Sequence, residues 1–419
     1  MVYAHTALSQ RINALREIDF AFPIYDKTEQ YVLHNAYAPT PQYIKEYEFD
    51  GMIFTHSFFS MLHSRRRYEQ SLEHWDWIKT HPAKTVALPQ DDYMCSESRD
   101  QWYLEMGIDA VFPVCAGETW PLLIPEYLKS GRTVSQGYTS YITPALRKRS
   151  KNWLPQDERK IDIGYRTLGT PRTPNRLGQL KFEIANMVKI GSAESGLAID
   201  VSNQLRDQIQ GEGWLSFLEN CKAAIGTPSG SSIRIRNHNV LGELTAMIES
   251  RSDGIEITDV LNQSDLSTDY EALSPRNLEC AALGTVQILT PGRYGGLLIP
   301  DLNCLGITEN ASDLGEKTAV IRDPKQMDQL AERALEQFLT MPSLQIESLI
   351  EQVKTIILTN SSKQVYDKNF IALKSKHDQY LQEWSRKLWF RQKVEYLTRA
   401  YLPVGVQRMG KRLTNNRRF

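Results

Sequence analysis

Short apolar segments of strand length, each ending in polar residues and each separated from the next by a helical stretch, occur in two successive series along this chain. Phe49 to His56, Thr85 to Leu88 and Ala110 to Val114 form the first series. Ile161 to Arg166, Leu197 to Ser202, Ala223 to Gly226 and Val286 to Leu289 form the second. Runs this short and this apolar fit strands buried on both faces, and alternation with helices predicts parallel sheets with the connections packed against them. Between the series, Ser150 to Arg159 is charged, contains Pro155 and has no apolar period, so the domain boundary is placed there. At 419 residues the chain is too long for one ordinary core and suits two such domains with a helical extension.

Polar strand ends that open on a cleft are where ligands bind in doubly wound folds, and one stretch has further chemistry. Tyr270 to Thr285 reads as a loop and a short helix: Ser274 suits the N-cap, Pro275 the first turn and Gly284 the residue past the end. The helix start favours an anion, and Arg276 in its first turn adds a cation, so a diphosphate fits there with Ser274, Arg276 and Asn277. Glu271 and Glu279 frame that start with seven residues between them.

Several phrases in order resemble one family: Ile161 to Arg166, Gly211-Glu212-Gly213-Trp214 with Phe217-Leu218, Ser229-Gly230-Ser231-Ser232, Ser274-Pro275-Arg276 with Glu279 to Thr285, and Tyr294-Gly295-Gly296 with Ile299-Pro300. Together with the Glu-x7-Glu spacing they resemble bacterial GT-B glycosyltransferases of the spore-maturation-like and surface-polysaccharide kind, over roughly residues 160 to 315. Upstream, Gln90-Asp91-Asp92-Tyr93 is similar to a Gln-Asp-Glu-Tyr phrase of such proteins, with Asp92 in place of Glu.

The resemblance implies an α/β GT-B fold, with two Rossmann-like domains facing a cleft and a C-terminal helical extension. Residues 1–155 would form the acceptor side, 156–330 the nucleotide-sugar domain, and 331–419 helices that brace back on the first domain. It also implies transfer of a sugar from a nucleotide-diphosphate donor to a glycan, lipid-linked or other hydroxyl acceptor, in surface polysaccharide or glycoconjugate assembly. Glu279 would bind the ribose and Glu271 would lie near the donor hexose. Arg166 and Lys181 would meet the leaving phosphates, where fixed positive charge stabilises the departing diphosphate.

The remaining candidates stand beside simpler readings. Ser229, Gly230 and Ser231 form either a turn or a loop whose amides approach the nucleotide. His56 and Asp91 sit at first-domain strand ends, where a base for the acceptor hydroxyl belongs if the reaction inverts; His56 is otherwise structural and Asp91 a helix cap. Retention, which the Glu-x7-Glu resemblance favours, requires no such base. No Asp-x-Asp occurs, so no metal and no other cofactor is expected. Gly315-Glu316-Lys317-Thr318 lacks the leading glycine of a phosphate loop, because position 310 is Asn. A nucleotide-sugar epimerase and a noncatalytic scaffold of the same fold are the alternatives.

The five cysteines are odd in number and never in a C-x-x-C spacing, which predicts buried thiols in a cytoplasmic protein. No signal peptide or membrane span is read. From Trp384 onward ten Lys/Arg face the single acid Glu395, against a net charge of −1 for the whole chain. Apolar residues at helical spacing there predict a packed helix with a basic face rather than a nucleic-acid binder, and peripheral contact with an anionic inner membrane face is a further use of that charge.

Overall fold

The computed structural model describes residues 1–4, 13–167, 175–250, 260–358 and 368–401. The chain divides into two compact units, Met1–Ala36 with Pro41–Ser361, and Tyr37–Thr40 with Ser362–Phe419.

The first unit holds both predicted sheets. In the first, β1 (Val2–Ala4), β2 (Leu33–Asn35), β3 (Gly51–Phe54), β4 (Lys84–Ala87), β5 (Ala110–Val111) and β6 (Thr133–Val134) are all parallel, in the order β2-β1-β3-β4-β5-β6. The second sheet contains β7 (Ile161–Arg166), β8 (Ile199–Ser202), β9 (Cys221–Gly226), β12 (Val286–Leu289) and β13 (Leu305–Gly306), also parallel, in the order β13-β12-β9-β7-β8. A separate antiparallel ribbon pairs β10 (Ser229–Ser231) with β11 (Tyr270–Ala272). Two Rossmann-like parallel sheets are therefore present, as expected. β1, between the edge strand β2 and β3, has no counterpart in the sequence reading: three residues carry too little pattern to separate from the helix behind them. Part of that helix, predicted over residues 5 to 18, lies outside the described residues; the rest is α1 (Asn13–Asp19).

The helices that frame the site are α2 (Ser96–Glu105), α3 (Arg176–Gly191), α4 (Glu212–Glu219), α5 (His238–Ser250) and α6 (Pro275–Ala282). Then α7 (Pro324–Leu339) and α8 (Ile346–Leu358) follow. Met327, Leu330 and Ala331 of α7 belong to the core of the second sheet, with Ile163, Ile225 and Ile288. Ile346, Leu349, Ile350 and Val353 of α8 belong to the core of the first, with Val2, Ile53 and Val86. The chain thus returns to its first sheet between residues 340 and 345, a turn after the end of α7. The second unit contains α9 (Lys368–Tyr401), in which the Tyr380 hydroxyl donates to the Pro39 carbonyl at 2.7 Å. All five cysteines are buried and free.

The boundary segment is anchored rather than loose. Arg159 is buried and donates to the carbonyls of Leu154, Cys221 and Leu283 at 2.8–3.0 Å and to the Thr285 hydroxyl at 3.1 Å. It therefore ties the linker to β9 and to the end of α6. Main-chain bonds also join the two sheet domains: Ile235 N–H to the Tyr93 carbonyl at 2.8 Å, Ser96 N–H to Ile235 at 3.0 Å and Glu97 N–H to Arg236 at 2.8 Å. Behind this seam α5, which the sequence pattern did not reveal, buries Val240 and Leu244 in one cluster with Cys95 of the first domain.

Candidate functional site

The polar ends of the second-sheet strands meet the start of α6 at a cavity of about 400 Å³, within the size range of small-ligand sites. Tyr165 and Arg166 end β7, Gly226 ends β9, Ser274 to Asn277 begin α6, and Lys181 faces in from α3. The opposite wall is the segment from Gln204 to Gly211, with Gln208, Ile209 and Gln210, and then Trp214 of α4. Glu279 lies one turn along α6 from the helix start and lines the same cavity.

The start of α6 is built as its residues predict. Pro275 has no N–H to leave unpaired, and the Asn277 side chain accepts the Ser274 N–H at 3.0 Å, one half of a capping box. Asn277 is then locked from behind, donating to Gln287 of β12 at 2.7 Å. Arg276 lies with its guanidinium carbon 4.8 Å from the ring centre of Tyr165 and 5.3 Å from that of Trp214. Its Nη2 donates to the Arg166 carbonyl at 2.6 Å and its Nη1 to the Ile225 carbonyl at 3.3 Å.

Electrostatics follow from this packing. Lys181 Nζ donates to Ser229 Oγ at 3.4 Å. Burial pushes its ammonium down to about 8, the Arg276 guanidinium adds to that shift and Asp91 opposes it. Burial raises the Glu279 carboxyl, against the Trp214 N–H and Arg276, which favour its ionised form. The Trp214 Nε1 donates to Glu279 Oε2 at 2.7 Å.

The other expected residues are held by contacts of their own. Arg166 lines the cavity, and its guanidinium donates to Asp200 Oδ1 at 2.7 Å and to the carbonyls of Tyr165, Asp200 and Asp207. His56 is buried, with Nδ1 2.8 Å from the Leu88 carbonyl and Nε2 3.2 Å from that of Tyr138, the contacts its structural reading calls for. Asp91 sits in a left-handed backbone conformation, φ +53°, with Oδ1 accepting from the Tyr93 hydroxyl at 2.9 Å. Its charge reaches Lys181 from the first domain.

Asp92, where the resemblance carries Glu, accepts the Val114 and Cys115 N–H groups at 2.6 and 2.8 Å. It is a buried anchor for the segment after β5.

Ser229, Gly230 and Ser231 form β10 rather than a plain turn. A side chain at Gly230, φ +107°, would sit 2.0 Å from the Tyr270 carbonyl oxygen, which only glycine accommodates. Glu271 is opposite Gly230 on the ribbon and accepts the Arg293 N–H at 2.9 Å; it is not among the cavity-lining residues. Burial raises its carboxyl, and the Arg293 N–H pulls it back.

One acid within the electrostatic reach of Glu279 went unread. Glu17 on α1 comes from the first domain, and burial together with the charges of Glu279 and Glu212 pushes its carboxyl up to about 7. Its only sequence signal is an acid on an amphipathic helix near the chain start, which any solvated face also gives. Among the described residues no cluster of metal-ligating side chains occurs. No described helix is long and apolar enough to cross a membrane.

No protein-family model matches the chain, and no curated protein matches its sequence. Solved structures similar in fold include TarM, at 10% identity and a TM-score of 0.41, covering 76% of this chain and 57% of that one. The sucrose-phosphate synthase of Thermosynechococcus elongatus is similar at 15% identity, a TM-score of 0.37, and 76% and 75% coverage. Anabaena HepE, solved with UDP and glucose, is similar at 9% identity, a TM-score of 0.37, and 76% and 80% coverage. The chain spans less than two thirds of the length of TarM. Likeness at this level carries no argument about chemistry, and the fold rests on the strand order above.

Proposed function

We propose that the chain is a GT-B glycosyltransferase that moves a hexosyl group from a nucleoside-diphosphate sugar to a hydroxyl of a glycan or lipid-linked acceptor, in bacterial surface polysaccharide or glycoconjugate assembly. The observation that carries this reading is the convergence, on one cavity, of a helix start, Lys181, Arg276 and, one turn further on, the Glu279 carboxylate. A nucleoside diphosphate needs that pairing: donors and cations for its phosphates, and a charged acceptor for its ribose hydroxyls.

In this reading the phosphates lie at Ser274, Arg276 and Lys181, and Glu279 accepts from the ribose. Positive side chains and helix amides stabilise the leaving diphosphate without a metal. Glu271 belongs on the hexose side, at the ribbon that also carries Ser229 to Ser231. Transfer proceeds with retention, the leaving phosphate taking the acceptor proton. Asp91 then orients the acceptor from the first domain, opposite Lys181. The basic C-terminal segment, whose residues 402–419 lie outside the described residues, holds the enzyme at an anionic inner membrane face.

The test is thermal denaturation with UDP, GDP, CDP, dTDP and ADP, each with EDTA and then with Mg²⁺. Ligand at about a hundred times its dissociation constant adds about 2.7 kcal/mol to the folded state, a readable shift. One diphosphate should raise the melting temperature equally in both conditions, and Glu279→Ala, by weakening binding about tenfold or more, should cut the added stability to about 1.4 kcal/mol or less. A folded Glu279→Ala protein with native affinity would refute the assignment.

A further inference from the structure

Glu279 carries two carboxylate oxygens, and the structure uses them unequally. Oε2 accepts the indole N–H of Trp214 at 2.7 Å, while Oε1 accepts no hydrogen bond from the described residues. Trp214 is itself fixed. It stands on the first turn of α4, its ring stacks on that of Phe217 with centroids 5.8 Å apart and planes 27° apart, and its other neighbour is the Arg276 guanidinium. A glutamate side chain ends in a broad, soft torsion, so its oxygens are not oriented unless something holds one of them. Here one donor on a stacked ring does so.

We propose that Trp214 is a positioning residue: its indole N–H pins Oε2 of Glu279 so that Oε1 is presented to a ribose hydroxyl, which makes the cavity select ribonucleoside over deoxyribonucleoside diphosphates. The proposal rests on the nucleotide reading of the cavity. Selection follows because a site arranged to accept a hydroxyl is left with an unpaired, partly desolvated carboxylate oxygen when the hydroxyl is missing. Preorganisation adds to it, since a carboxylate already held loses no rotational freedom on binding. The same N–H also favours the ionised carboxylate, as Arg276 does from the same helix, whereas burial opposes ionisation. Removing the N–H alone therefore makes Glu279 harder to ionise.

The experiment is isothermal titration of the intact chain with UDP, GDP, CDP and ADP, and then of the tightest binder against its 2′-deoxy and 3′-deoxy counterparts, from pH 5 to 8. Native protein should bind one deoxy analogue about tenfold more weakly than the ribonucleotide. Trp214→Phe keeps an aromatic face beside Arg276 and loses the donor. It should weaken the ribonucleotide about tenfold, bring the ribo-to-deoxy ratio within about threefold, and move the acid-side loss of binding to higher pH.

Glu279→Gln, which keeps the shape of the side chain, should abolish both the discrimination and the acid-side pH dependence. Equal weakening of ribo and deoxy ligands in Trp214→Phe with an unmoved pH profile would overturn the proposal, because that is what lost packing alone does. Native discrimination against neither deoxy analogue, or its persistence in Glu279→Gln, would overturn it as well. Failure of the native protein to bind any of the four diphosphates would instead defeat the nucleotide reading itself, and the proposal with it.

Discussion

Nucleotide affinity should depend on pH through Lys181 in a way that can be worked out from its surroundings. The ammonium is half-buried, has Ser229 Oγ as acceptor at 3.4 Å, is repelled by Arg276 and attracted by Asp91, and titrates at about 8. A diphosphate bound against it, fully ionised above about pH 7, returns the ammonium toward its ordinary value of roughly 10.4. Binding then requires a proton that free Lys181 holds at pH 7 and has mostly lost at pH 9. With a free value of about 8, the dissociation constant should rise about tenfold from pH 7 to pH 9, and about half a proton should be taken up per nucleotide at pH 8. Titration calorimetry in two buffers of different ionisation enthalpy measures both quantities. Lys181→Arg, charged throughout this range, should bind with a flat profile. A native dissociation constant that stays constant between pH 7 and 9, or binding without proton uptake at pH 8, would refute the placement of Lys181 against the phosphates.

Two further predictions concern stability. Glu17 has a folded value of about 7 against an ordinary 4.5, so the folded state binds its proton more tightly than the unfolded chain does, and stability is lost as pH rises from about 4.5 to 7. Glu17→Gln should therefore be stabilised by about 1–3 kcal/mol at pH 8 and be near neutral at pH 4.5, as read by denaturant titration; the opposite pH order would refute the crowding of carboxylates between α1 and α6. Arg159→Met removes four hydrogen bonds and leaves three carbonyls, two of them buried, without that donor, which should cost about 2–4 kcal/mol, with nucleotide affinity kept in the folded fraction. An unchanged denaturation midpoint would show that the linker is not an anchor.

The second sheet was legible because its signals are local. β7 and β12 lie where their apolar runs lie, and α6 begins at the cap that Ser274 and Pro275 announce. Strand ends, a cap and a proline act within a few residues, so a linear reading finds them. Glu279, Arg276 and Lys181, which the resemblance singled out or the helix start suggested, line one cavity. β1, α5 and the ribbon of β10 with β11 were not, because a three-residue strand or a ribbon exists only through what it pairs with, and that partner is distant in sequence.

The sequence by itself determined two parallel α/β sheets and the helix start at Ser274. What each candidate side chain pairs with was decided only by the tertiary structure. Arg166 and His56 stand at strand ends as expected, and carbonyls brought from elsewhere in the chain pair with their polar atoms. Trp214 bonds Glu279 across 65 residues of chain, and the charge of Glu279 acts on Glu17 across 262. Hydrogen bonds and charges act over a few ångströms of space, and folding sets those distances between residues that are remote along the sequence.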